Sequence, residues 1–77
     1  MASQANNVSL KSFRQFLERK GLKRIRINGG HEVWSRKDLR RPVIIQTHKD
    51  PIPLFIVKNN LRTMGSTIQE LLTFLKE

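Results

Sequence analysis

The sequence predicts an α+β domain in which a three-stranded antiparallel sheet packs on helices. Three observations carry that expectation. Segments with apolar residues at helical spacing open and close the chain, and three short runs with strand character lie between them. A run of strands bracketed by helices favours an antiparallel sheet over a parallel one. The length, 77 residues, allows one domain of two layers with a modest core. The expected order is α-β-β-β-α-α.

The first helix is read over Ser9 to Lys20. Leu10, Phe13, Phe16 and Leu17 fall on one stripe, and Ser12 with Gln15 has capping-box spacing near its start. Gly21 supplies a left-handed stop. Lys23 to Ile27 alternates with a period of two, giving a strand with Ile25 and Ile27 on one face and Arg24 and Arg26 on the other. Asn28-Gly29 is a hairpin signal, because both central positions of the favoured turn need positive φ, and Gly30 adds latitude. The return strand, His31 to Arg36, is built on Val33 and Trp34. Lys37 to Arg41 is a charged connection, and Pro42 to Thr47 is the third strand, with Val43, Ile44 and Ile45 at its centre. A proline can begin a strand without disturbing the ladder.

His48 to Pro53 is a loop, since two prolines restrict the residues before them. Leu54, Val57, Leu61 and Met64 then recur at helical spacing up to Gly65. The last helix begins near Ser66 or Thr67, where Thr67 and Glu70 again have capping-box spacing. Ile68, Leu71, Leu72 and Leu75 form its apolar stripe. Residues 1–8 are expected to be a flexible leader, and residues 9–77 a single domain.

Composition narrows the chemistry. The chain has no cysteine, which excludes disulfide scaffolds, thiolate zinc sites and cysteine nucleophiles. Two histidines and six scattered carboxylates argue against a dedicated metal site, and no cofactor is expected. There is no apolar run of bilayer length and no secretory signal pattern, so a cytoplasmic location is expected. Fifteen Lys and Arg against six Asp and Glu give a net charge of +9. Eleven of the basic residues lie in residues 1–41, so the excess sits in the first half. Such a surface suits a nucleic acid or an acidic protein. It does not suit a bilayer, because no basic amphipathic helix carries aromatic anchors.

The segment Arg26-Ile27-Asn28-Gly29-Gly30-His31-Glu32-Val33-Trp34 concentrates the candidate chemistry. An imidazole takes and gives protons near neutrality, and His31 directly follows a glycine turn. Backbone N–H groups at Gly29 and Gly30 could approach a phosphate, although turn geometry alone also explains both glycines. Arg24 and Arg26 could track a phosphate backbone or form a solvated face. Arg36, Lys37, Arg40 and Arg41 make the densest basic cluster and are read as RNA contacts or contacts to acidic groups of a protein. His48 is the other titratable candidate, with a structural role at the loop equally open. Trp34 invites base stacking, but a lone tryptophan in so small a domain is read as core. Phe13, Phe16, Phe55 and Phe74 are read as core or partner-helix contacts.

Taken together, these features resemble the HicA toxins of bacterial toxin–antitoxin pairs. The resemblance rests on the helix closed by Lys20-Gly21 and the Arg-x-x-Gly-small-His hairpin from Arg26 to His31. It also rests on the isoleucine/valine strand leading to His48 and the helix around Leu61-Arg62, so it spans Ser9 to Leu75. It implies an α-β-β-β-α core similar to the double-stranded RNA-binding domain and an endoribonuclease (mRNA interferase) activity. It also implies neutralisation by a cognate HicB-like antitoxin, with His31 as the catalytic residue. Two positions depart from the family pattern: Gly30 stands in place of a serine, and Gln46 in place of a proline. The alternative readings are a non-catalytic RNA-binding domain using the same basic face, and a protein-interaction module whose basic face meets an acidic partner.

Overall fold

The computed structural model describes residues 8–77. Helix α1 (Leu10–Arg19) leads into β1 (Lys23–Asn28), β2 (His31–Ser35) and β3 (Val43–Gln46), followed by α2 (Leu54–Met64) and α3 (Ile68–Leu75). The strands form one antiparallel sheet in the order β1-β2-β3. The expected leader, residues 1–8, lies outside the described residues except for Val8. That residue belongs to the fold: it is fully buried, and its carbonyl accepts from the Ile52 N–H at 2.8 Å.

Apolar periodicity decides which surfaces meet. Phe13, Phe16 and Leu17 of α1, Val57, Leu61 and Met64 of α2, and Leu71 of α3 join Trp34, Val43 and Ile45 of the sheet in one core cluster. The helices therefore cover one face of the sheet. The register pairs Glu32 with Ile45 and Trp34 with Val43, so Glu32 also points to this covered side. The open face carries His31, Val33 and Ser35 of β2, with Gln46 and Ile44 opposite on β3. Trp34, 3% exposed, is a core residue as read from the sequence. Phe13 and Phe16 are also core, while Phe55 is exposed.

Three local expectations need correction. Helix α1 is capped by Ser9, whose hydroxyl accepts from the Ser12 N–H at 3.0 Å, so Ser12 and Gln15 lie inside the helix and form no capping box. A hydroxyl caps only from the non-helical position just before the first turn, and Ser9 occupies it. In the hairpin, Asn28 pairs with His31, which leaves Gly29 and Gly30 as the two central residues. Gly29 alone of these has positive φ, 62°. That is the pattern of a two-residue turn with glycine at its first central position.

The third correction concerns β1. A bulge between Arg24 and Arg26 sets Arg24 opposite Trp34 and Arg26 opposite Val33. The two arginines consequently face opposite sides of the sheet, because one extra residue reverses the alternation. Ile25 and Ile27 do not form a buried face either; they are 59% and 56% exposed on the edge strand.

Helix stops follow the expected chemistry. Gly21 and Gly65 are left-handed at φ 87° and 73° after α1 and α2. Thr67 caps α3 in a reciprocal capping box: its hydroxyl accepts from the Glu70 N–H at 3.1 Å, and Glu70 accepts from the Thr67 N–H at 2.8 Å. Thr67→Ala is expected to cost about 1 kcal/mol. Thermal unfolding followed by circular dichroism should show a midpoint lower by about 4–8 °C, as for domains of this size.

Candidate functional site

The Gly29-Gly30 turn carries His31 to the end of the sheet, on the open face and exposed to solvent. Across the ladder it faces Asn28 on one side and Gln46 on the other. Among the described residues the imidazole makes no hydrogen bond, so both ring nitrogens are free to engage a ligand. The Gln46 Oε1 is buried and has no hydrogen-bond partner among the described residues. One pleat further along the same face, Arg26 lies opposite Val33.

His48 comes to the same end of the sheet. Gly30 O accepts from the Thr47 N–H at 2.8 Å and from the Thr47 hydroxyl at 3.2 Å, which holds the strand end against the turn. A β-carbon built on Gly30 would lie 3.3 Å from His48 Nδ1. The His48 ring therefore lies against the turn, and a side chain at Gly30 would push it aside by a few tenths of an ångström. The following loop is pinned as well, because Asp50 Oδ1 accepts the Leu10 N–H at 3.1 Å at the start of α1.

The remaining candidate residues do not gather around His31. Arg24 is on the helix side, with its guanidinium 3.6 Å from Glu32. Arg36 is engaged within the fold: it donates to Asp38 at 2.6 Å, to Lys20 O at 2.7 Å and to Met64 O at 3.0 Å. Lys37, Arg40 and Arg41 are exposed on the β2–β3 connection, at the opposite end of β2 from His31. At about 3.3 Å per residue, the strand separates the two ends by roughly 13 Å.

Glu32 is a further residue of consequence, not among the candidates apparent from the sequence. Only 3% exposed, it accepts from Arg14 Nε at 3.1 Å, from Arg14 Nη2 at 2.6 Å and from Trp34 Nε1 at 3.0 Å. The hydrogen bonds from Arg14 hold its carboxyl below the ordinary carboxylate range. Burial opposes them, and the Trp34 N–H and the charges of Arg14 and Arg24 add to them. A signal was available, since a period of two from Trp34 puts Glu32 on the buried face.

A lowered folded-state pKa stabilises the protein above the unfolded value, near 4.3, and that contribution disappears as pH falls through the folded value. Acidification from about pH 5 to pH 3 should therefore lower the unfolding midpoint of the parent protein more than that of Glu32→Gln. The other depressed carboxylates, Asp38 and Glu70, are common to both proteins and cancel in the comparison.

Among the described residues no group of three or more His, Asp or Glu side chains is placed to hold a metal ion, and no helix is long and apolar enough to cross a membrane. No known protein family, curated protein or solved structure matches the chain.

Proposed function

We propose that the chain is a metal-independent endoribonuclease of the HicA type, with His31 as general base. On this reading the domain is a cytoplasmic toxin with a fold similar to the double-stranded RNA-binding domain. Its substrate is mRNA, and a cognate HicB-like antitoxin neutralises it. The observation that carries the proposal is an exposed imidazole beside a glycine turn, without a hydrogen bond among the described residues, on the open face of a sheet in a chain of net charge +9.

RNA brings its own nucleophile. His31 takes the proton of the 2′-hydroxyl, the 2′-oxygen bonds to the adjacent phosphorus, and the bond from phosphorus to the 5′-oxygen breaks. The departing 5′-oxygen takes a proton from water. Arg26, one pleat away on the same face, and the N–H groups of the glycine turn oppose the charge that builds on the phosphate. The products are a 2′,3′-cyclic phosphate and a free 5′-hydroxyl.

The test is cleavage of a defined single-stranded RNA in the presence of EDTA, with analysis of both new ends. Cyclic phosphate and 5′-hydroxyl ends are expected, and a 2′-deoxy nucleotide at the cleaved position should block the cut. Ends bearing a 5′-phosphate would overturn the mechanism. RNA binding without any cleavage would move the assignment to a non-catalytic RNA-binding domain.

A further inference from the structure

The basic residues of the β2–β3 connection belong to a second site. Arg40 and Arg41 line a surface groove together with Arg62, which comes from the last turn of α2. All three are exposed, and none pairs with a carboxylate among the described residues. Three arginines from two elements separated in sequence thus border one groove, and the carboxylate on its rim, Asp38, is already engaged by Arg36, so the groove keeps an excess of positive charge that an anion would relieve.

The convergence is held by the fold. Arg36 donates to Met64 O at the end of α2 and to Lys20 O after α1, while its Nε and Nη2 grip Asp38. The Leu39 N–H closes a turn on Arg36 O at 3.0 Å. The segment bearing Arg40 and Arg41 is therefore fastened to the helix bearing Arg62. Ordering a loose loop on binding costs conformational entropy, and a connection already fastened to the helix avoids that part of the cost.

We infer that the Arg40–Arg41–Arg62 groove is a phosphate-binding exosite for RNA, one strand length from His31, so that efficient substrates must span both. The inference rests on the proposed ribonuclease reading for its link to cleavage. Guanidinium forks match phosphate oxygens, and repeating phosphates on one strand can occupy both ends of the sheet. An acidic protein fits less well. Protein interfaces centre on apolar anchors, and the exposed large apolar side chains Ile25, Ile27, Ile44 and Phe55 are not among the groove's lining residues. Arg36 acts here as a positioning residue.

The test separates the groove from the histidine. Binding is measured in the His31→Ala background, which cannot consume the RNA. The probe is a fluorescent single strand of about ten nucleotides, within the footprint range of small single-strand binders. Adding Arg62→Ala should weaken binding about 3–10-fold at low salt and flatten the slope of log affinity against log salt by about 0.7 for each phosphate no longer neutralised. With His31 intact, Arg62→Ala should slow cleavage of the ten-nucleotide RNA and leave turnover of a dinucleotide unchanged.

Unchanged affinity and salt slope would overturn the exosite whatever the protein cleaves. Equal binding of polyglutamate of matched charge would also overturn it. Arg62-dependent binding in a protein that never cleaves would keep the groove and remove the ribonuclease assignment.

Discussion

His31→Ala is expected to lower metal-independent RNA cleavage by about 10²–10⁴-fold, the usual worth of a positioned general base. The loss should be catalytic rather than structural. His31 is exposed on the open face, outside the core cluster, and makes no hydrogen bond among the described residues. The unfolding midpoint of the variant should stay close to that of the parent, since surface substitutions of this kind usually change stability by under about 0.5 kcal/mol. Single-turnover cleavage of a short RNA, with circular dichroism on the same preparations, checks both statements. Equal rates for the two folded proteins would remove His31 from the chemistry. His48→Ala belongs in the same experiment, because the His48 ring lies against Gly30. A loss of similar size there would assign the leaving-group proton to His48 in place of water.

A large stability effect is expected at Arg14. Its guanidinium is the main partner of Glu32, whose carboxylate is almost wholly excluded from water. Removing one partner of a buried pair leaves the other charge without compensation and typically costs about 3–5 kcal/mol. Here the lower end applies, because the Arg14 side chain is 34% exposed and Arg24 remains 3.6 Å from the carboxylate. Arg14→Ala should therefore cost about 3 kcal/mol and lower the midpoint by roughly 12–24 °C. Arg14→Ala combined with Glu32→Gln should recover part of the loss, since the glutamine carries no charge and its carbonyl still accepts from the Trp34 N–H. A double variant no more stable than Arg14→Ala alone would mean that the loss comes from the packing of the arginine stem.

What the sequence disclosed follows from the range over which each interaction acts. Stripes such as Leu10-Phe13-Phe16-Leu17 and the Thr67/Glu70 box are written within a few residues, and the elements they specify are present with small shifts at their ends. The bulge in β1 was hidden because Arg24-Ile25-Arg26-Ile27 reads as unbroken alternation. Only the pairing with Trp34 and Val33 shows that one residue is extra. The hairpin frame was ambiguous by one position, since Asn28-Gly29-Gly30 offers two possible central pairs.

The same logic holds for the site. The position of His31 after a glycine turn is local and was legible. The role of Arg36 was not, because two of its partners are backbone carbonyls at Lys20 and Met64. Those acceptors carry no sequence signature, so a residue that staples the fold looked like one more member of a basic run. Arg62 was missed as a companion of Arg40 and Arg41 for a related reason: about twenty positions separate residues that the fold makes neighbours.

Helix α3 sets a hierarchy of opening motions. It has one fully buried side chain, Leu71, and the ion pairs at its ends, Lys20–Glu70 in its first turn and Arg19–Glu77 just past its last, lie at the surface. The Phe16–Phe74 edge contact, with ring centroids 5.4 Å apart, is its main aromatic link to the rest. Such an element can detach as a unit at a free energy below that of global unfolding. Amide hydrogens of α3 should then exchange with solvent ahead of those of α1 and β2, and each opening would uncover Phe16. The left-handed Gly65 and the residues after it form the hinge, so a protease acting on the opened form would cut there and release a helix, leaving the histidine end of the sheet attached to its core.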